Sequence, residues 1–227
     1  MIIGGLQKTS LIDYPDKISA IIFTQGCNFR CGYCHNPELI RQNDSIIEES
    51  SVFNFLNKRK GILDAVVITG GEPTLHKDLT GFISKIKELG YLVKLDSNGT
   101  NPEVIKELTD KNLIDYIAMD IKAPIHKYSE ITCAKTDASA IKKSIDIITS
   151  SKIGYEFRTT VVKSQLSFKD FEEIGKMIEN ANLYYLQEFT PTKTLEPKFL
   201  NESTYSKEEF NEIIKILNKY VKDVYVR

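Results

Sequence analysis

Three cysteines fall close together in the run Gly26-Cys27-Asn-Phe-Arg-Cys31-Gly-Tyr-Cys34-His-Asn-Pro37. A short loop carrying three thiolates can wrap three corners of an iron-sulfur cubane, and sulfur ligands suit such clusters or zinc. Three protein ligands leave one metal corner open. A structural zinc would want a fourth protein ligand, for which His35 and Cys133 are the candidates. His35 adjoins Cys34, so placing both side chains on one ion is awkward, and Cys133 lies far along the chain. A zinc knuckle and three unrelated buried thiols stay open at this point as the plainer readings.

Further polar groups follow the later strand-like runs. In Thr69-Gly70-Gly71-Glu72-Pro73 two glycines let a ligand approach the backbone, and Glu72 could accept hydrogen bonds from an ammonium group. Alone, the same residues are a glycine turn beside a solvated acid. Asp96, in Leu95-Asp96-Ser97-Asn98-Gly99, and Asp120, in Ala118-Met119-Asp120-Ile121-Lys122, are costly to bury unless cations, metals or donors meet them. Otherwise Asp96 is a turn residue and Asp120 with Lys122 a surface pair. Arg158 grips a carboxylate if it points inward and is merely solvated if it points outward. Strand alternation does not choose between these. His76 and His126 read as surface loop residues, and Cys133 as a spectator thiol.

These groups need a scaffold. Strand-like runs span 18–24, 64–69, 91–97, 115–121, 155–162 and 184–189, with helical patterns between them. Leu79, Phe82, Ile83, Ile86 and Leu89 recur at helical spacing before Gly90. Asn101-Pro102-Glu103 reads as an N-cap, a first-turn proline and a dipole-favoured acid. Ile141, Ile145 and Ile148, then Phe168, Phe171, Ile174 and Ile178, mark two more buried stripes. Ser206 with Glu209 resembles a capping box. Strand and helix alternate six times in a single domain over 1–227, the α/β pattern of a parallel sheet covered by helices. Periodicity fits both an open doubly wound sheet and a partial barrel, and six units fall short of a complete eight-unit barrel. In either case the C-terminal strand ends face the site, and every motif above sits there.

Lys and Arg number 30 and Asp and Glu 31, so the charge balance makes no broad case for nucleic acid or a membrane surface. The first residues lack the pattern of a signal peptide, and no apolar run approaches a membrane span. A soluble, cytoplasmic protein in a reducing compartment is expected, which also favours thiolate ligands over disulfides.

The spacing Cys-x3-Cys-x2-Cys with aromatic Tyr33 before the last cysteine resembles the cluster motif of the radical S-adenosylmethionine (SAM) superfamily. Gly70-Gly71-Glu72-Pro73 is similar to the motif that binds the cofactor's amino group there. The resemblance implies a four-iron, four-sulfur cluster on Cys27, Cys31 and Cys34, whose open iron takes the methionine part of the cofactor. Reductive cleavage then yields a deoxyadenosyl radical that abstracts hydrogen from substrate. Tyr33 would lie beside the adenine. The segments around Asp96 and Asp120 look like those of the glycyl-radical-enzyme activases, which implies a monovalent cation held by the two acids, with Ser97 and Lys122 nearby. Gly5-Leu-Gln-Lys-Thr-Ser-Leu-Ile-Asp-Tyr-Pro15 and Ile18 to Ile40 closely resemble the anaerobic ribonucleoside-triphosphate reductase activating proteins. The resemblance is detailed over 4–40, motif-based to 122 and architectural beyond, with Arg158 as the one further site residue. It implies a six-unit partial β/α barrel, a glycyl radical enzyme as partner and an external low-potential electron donor. A small-molecule radical SAM enzyme, of the kind exemplified by carboxy-deazaguanine synthases, is the runner-up. A non-catalytic metal-binding or electron-transfer module is a third reading.

Anaerobic reconstitution is expected to install one four-iron cluster, lost in Cys27→Ala, Cys31→Ala and Cys34→Ala and kept in Cys133→Ala. Iron and sulfide analysis checks this, and stoichiometric zinc without iron-dependent cofactor cleavage would contradict it.

Overall fold

The computed structural model describes residues 1–227, and one eight-stranded sheet runs through them with its strands in sequence order. Strand β1 (Ile3–Ser10) pairs antiparallel with β2 (Ser19–Thr24). From β2 onward every pairing is parallel, through β3 (Ala65–Gly70), β4 (Leu92–Ser97), β5 (Tyr116–Asp120), β6 (Gly154–Val161), β7 (Leu183–Glu188) and β8 (Asp223–Val226). β1 and β8 are the two unpaired edges, so the barrel stays open on one side.

The six crossovers between these parallel strands carry α1 (Glu49–Lys58), α2 (Leu79–Glu88), α3 (Pro102–Asp110), α4 (Ile125–Thr132) with α5 (Ala138–Ser150), α6 (Phe168–Met177) and α7 (Lys207–Leu217). Right-handed crossovers between strands that never reverse their order put all the helices on one face, whereas a doubly wound sheet reverses at a switch point. Strand order therefore decides for the partial barrel. No helix is long and apolar enough to cross a membrane.

Burial follows the same division. The main core gathers 49 buried residues, including Val93, Leu95, Ile117 and Met119 of β4 and β5 beneath the helices. The concave face holds a separate buried cluster of only four, Tyr14, Ile21, Ala65 and Val67. Side chains alternate across a strand, so Lys94, Asp96, Asp120, Glu156, Arg158 and Thr160 share the concave side. Helices and core thus hold up a polar inner wall.

Several local readings are modified. Ser206 and Glu209 form the anticipated capping box on α7, and Ser167 with Asp170 forms another on α6. Asn101 precedes α3 without capping it; its Nδ2 donates to Thr74 O at 3.2 Å and Thr74 Oγ1 at 3.0 Å, tying the helix to the Gly-Gly-Glu-Pro turn. His126 lies on α4 rather than in a loop, its Nδ1 3.0 Å from Glu173. Half-buried His76 meets Gln25 O at 3.0 Å.

The two glycines of that turn also have a packing reason. Gly70 has φ +114°, and a Cβ there would overlap the backbone of Thr24. One on Gly71 would overlap the carbonyl of Gly26. The missing side chains let this turn close onto the start of the cysteine loop, where Gly71 N donates to Thr24 O and Glu72 N to Gly26 O, both at 2.8 Å. Gly71→Ala should therefore cost about 1–3 kcal/mol by overpacking. Exposed Gly81, inside α2 with open space around it, should instead gain roughly 0.5–1 kcal/mol as Ala. Urea unfolding of the two variants checks the opposite signs.

Candidate active site

All twelve residues singled out above line one cavity of ≈ 260 Å³ at the C-terminal strand ends: Cys27, Cys31, Tyr33, Cys34, Gly70, Gly71, Glu72, Asp96, Ser97, Asp120, Lys122 and Arg158. The cysteines arrive on the loop after β2, the glycines and Glu72 after β3, and Asp96 with Ser97 at the end of β4. Asp120 ends β5, Lys122 follows it, and Arg158 comes from β6.

The loop is anchored at several points. Gly26 N and Cys27 N donate to Leu39 O (2.8 Å) and Ile40 O (3.0 Å), and Arg30 N to Thr132 O (2.8 Å) at the end of α4. Asn28 accepts from Asn98 Nδ2 at 2.8 Å and donates to Thr100 Oγ1 at 3.0 Å, joining it to the end of β4. Behind it, the segment after β7 folds over: Glu196 N donates to Gly32 O at 2.9 Å, and Phe199 occupies the space that any side chain on Gly32 would need.

Burial raises the Cys27 thiol to about 12 and pushes Cys31 upward too. Iron must therefore displace protons from these sulfurs as it binds. Three thiols line the cavity, and Cys133 is exposed outside it, which fits a cluster that keeps one iron open.

Tyr33 is 5% exposed and meets Phe199 edge-on with ring centroids 6.2 Å apart. Its hydroxyl is buried, directed at Cys31 without completing a hydrogen bond. It is a packed aromatic with one unspent polar atom at the cavity.

Glu72 is not solvated: it is 1% exposed and accepts four hydrogen bonds from the protein. Its Oε1 accepts from Thr74 N (3.1 Å), Thr74 Oγ1 (2.5 Å) and Ser97 Oγ (2.9 Å), and its Oε2 from Asn98 N (2.6 Å). Burial raises its pKa against these donors. The carboxylate pins the end of β3 to the end of β4, and Ser97 spends its hydroxyl on the same task.

Beside it runs a seam of alternating charge. Arg158 points inward, with Nε 2.5 Å from Asp120 Oδ1 and Nη1 3.1 Å from Asp96 Oδ2. Lys122 Nζ lies 3.0 Å from Asp120 Oδ2, and Lys94 Nζ 3.2 Å from Asp96 Oδ1. The four cavity-lining members keep side-chain exposures of only 11–20%. Asp120 and Lys122 are thus no surface pair, and Asp96 is no simple turn residue. Burial opposes both acids' charge, yet Arg158 with its lysine neighbours holds Asp96 and Asp120 below the usual carboxylate range. Burial likewise opposes Lys122, and Asp120 overcomes it. Two cations and two acids of the seam line the cavity in balance, and Lys94 adds a third cation from below, outside the cavity lining. Asp96 Oδ1 is buried, with Lys94 Nζ as its ionic partner.

Lys94 was missed from sequence, although its position two residues before Asp96 puts both on one face of β4. Its Nζ also donates to Asp13 O at 2.7 Å and sits 5.8 Å from the Tyr116 ring centre. The Ser10-Leu-Ile-Asp-Tyr-Pro15 segment therefore plugs the floor of the barrel and anchors the seam from below. Asn98, Thr160 and Gln187 also line the cavity. For Thr160 the available signal was the same period of two, counted from Arg158.

With three thiols and a charged seam in one cavity, comparison with known proteins becomes decisive. The family model described as the Radical SAM superfamily matches residues 21–178. The chain belongs to the radical SAM superfamily. Members of this superfamily bind a four-iron, four-sulfur cluster and SAM. Across its whole length this radical SAM protein is 38% identical, over 231 aligned residues, to a Methanocaldococcus jannaschii protein provisionally named a glycyl-radical enzyme activating enzyme, covering 95% of it. A shorter match, 38% over 82 residues, joins 36% of this chain to 36% of 7-carboxy-7-deazaguanine synthase of Aquifex aeolicus. Among solved structures, a domain of pyruvate-formate lyase-activating enzyme from Bacteroides vulgatus shares the fold at TM-score 0.58 and 17% identity, over 72% of this radical SAM protein and 98% of that chain.

The seam generates a stability prediction with a definite sign. Carboxyls whose pKa is depressed on folding stabilise fully above their unfolded value, near about 3.9, and lose that contribution as pH falls through the lower folded value. Asp120→Asn should cost about 3 kcal/mol near neutrality by leaving Arg158 and Lys122 underpaired, with the loss shrinking as pH drops below about 4. Urea melts across pH check this, and a pH-independent cost would contradict it.

Proposed function

We propose that this chain is an activase: it takes a hydrogen atom from a backbone glycine of a separate glycyl radical enzyme, the favoured partner being an anaerobic ribonucleotide reductase. The observation that carries this reading is the full-length 38% identity to the Methanocaldococcus jannaschii protein, together with the gathering of every motif residue in one cavity. Cys27, Cys31 and Cys34 hold the cluster, and a low-potential protein outside this chain supplies the electron. When bound, the cluster and SAM supply the carbon radical that abstracts hydrogen.

The chain's own residues bind and orient. Arg158 and Lys122 receive the cofactor's carboxylate. The Gly70-Gly71-Glu72 turn receives its amino group, with Glu72 Oε2 accepting a single protein hydrogen bond. Asp96 and Asp120 are the acids that would hold a monovalent cation beside the cofactor. Tyr33 lines the cofactor's path with its ring. The core beneath Cys31 and Tyr33 excludes water from one side of the cluster. Such a protein would work in the cytoplasm, where thiolates persist.

The runner-up, chemistry on a small molecule, draws on the partial match to 7-carboxy-7-deazaguanine synthase, confined to 36% of the chain. Two experiments separate them. Asp96→Asn and Asp120→Asn should weaken SAM binding about tenfold while leaving iron content unchanged, since neither acid is a cluster ligand. Reduced protein incubated with a candidate anaerobic reductase carrying deuterated glycine should place deuterium in 5′-deoxyadenosine. Turnover of a small heterocycle, with no label from any polypeptide, would overturn the activase reading.

A further inference from the structure

The charges of the cavity wall are spent on one another. Asp96, Asp120, Lys122 and Arg158 pair across β4, β5 and β6, and Glu72 accepts from four donors. The wall changes character one step further round the barrel. Thr160 and Gln187 are directly opposite in the register of β6 and β7, two residues beyond Arg158 and Tyr185 on the concave face. Both line the cavity, and both are half-buried. They lie on the side that leads to the open edge at β8. Asn36, exposed on the cysteine loop, is a further uncharged lining group. None of the three is engaged by an ion pair of the seam.

We infer that Thr160 and Gln187 form the substrate subsite and that it takes the backbone of an extended peptide. This rests on the activase reading and names the substrate class of the same site. A hydroxyl and a primary amide offer both donors and acceptors, matching the N–H and C=O that each peptide unit carries. An anionic heterocycle would want an unpaired cation to offset its desolvation, and this part of the wall has none. Side-chain-independent contacts of this kind accept a glycine flanked by any residues, and glycine lets the backbone come close. The seam fixes one end of the cavity for the charged cofactor and leaves the neutral end for the neutral chain.

The test is binding to cluster-loaded, SAM-bound protein without reductant, read by anisotropy of a fluorescent capped peptide, Ala-Ala-Ala-Gly-Ala-Ala-Ala, with a pterin carboxylic acid as competitor. Thr160→Val and Gln187→Leu should each weaken peptide binding about fivefold, the worth of one neutral hydrogen bond, whereas Thr160→Ser should keep it. SAM affinity, measured alongside, reports whether each variant's site is intact. Peptide binding that is unaffected by either apolar variant would overturn this inference and leave the activase reading standing. Absence of saturable peptide binding would overturn the inference too. Tight binding of the pterin carboxylate in place of the peptide would overturn both.

Discussion

The guanidinium of Arg158 between two carboxylates is the interaction on which the rest of the site depends. Three strands end within reach of it, and each contributes a charge that would be costly to bury alone. Asp96 from β4 and Asp120 from β5 need a cation between them; Arg158 from β6 supplies it in a forked geometry that a lysine could not reproduce. Lys94 and Lys122 complete the outer oxygens. The seam therefore fixes the relative positions of three strand ends as well as the electrostatics of the cavity. An alternating chain of this kind has few arrangements in which every charge is met, and that restriction favours one shape for the site.

A second constraint, made of backbone rather than charge, joins this seam to the cysteines. Gly70 and Gly71 lack the side chains that would hold the loops after β2 and β3 apart. The two loops share hydrogen bonds as a result, and Glu72 carries the connection on to β4 through Ser97 and Asn98. The cysteine loop is thus continuous with the seam by way of one buried carboxylate. The cysteine loop and the charged seam are thus held in register by the sheet itself.

Much of this was legible in the residues. Six strands and most helices could be read because apolar side chains recur at periods of two and 3.6, and the capping box at Ser206 and Glu209 is a local signal. β1, with two glycines and a polar run, and the four-residue β8 carry too little alternation to stand out. α1 and α4 bury only two and three residues, so their stripes are faint. Every motif residue reached the cavity because strand ends were the right place to look. The uses of those residues were not legible. Whether Arg158 faced inward depended on pairing register, and the occupation of Glu72 depended on Thr74, Ser97 and Asn98 arriving together from two strands. Lys94 was hidden because a lysine in a strand reads as solvated until the floor of the barrel is known to be plugged.

A crystal structure of the anaerobically reconstituted protein with SAM bound tests the central claim most directly. It should show a four-iron cubane on Cys27, Cys31 and Cys34, with the cofactor's carboxylate against Arg158 and Lys122 and the Asp96–Arg158–Asp120 bridge intact. A single tetrahedral ion on the cysteines, or a cofactor lodged away from the seam, would contradict the account.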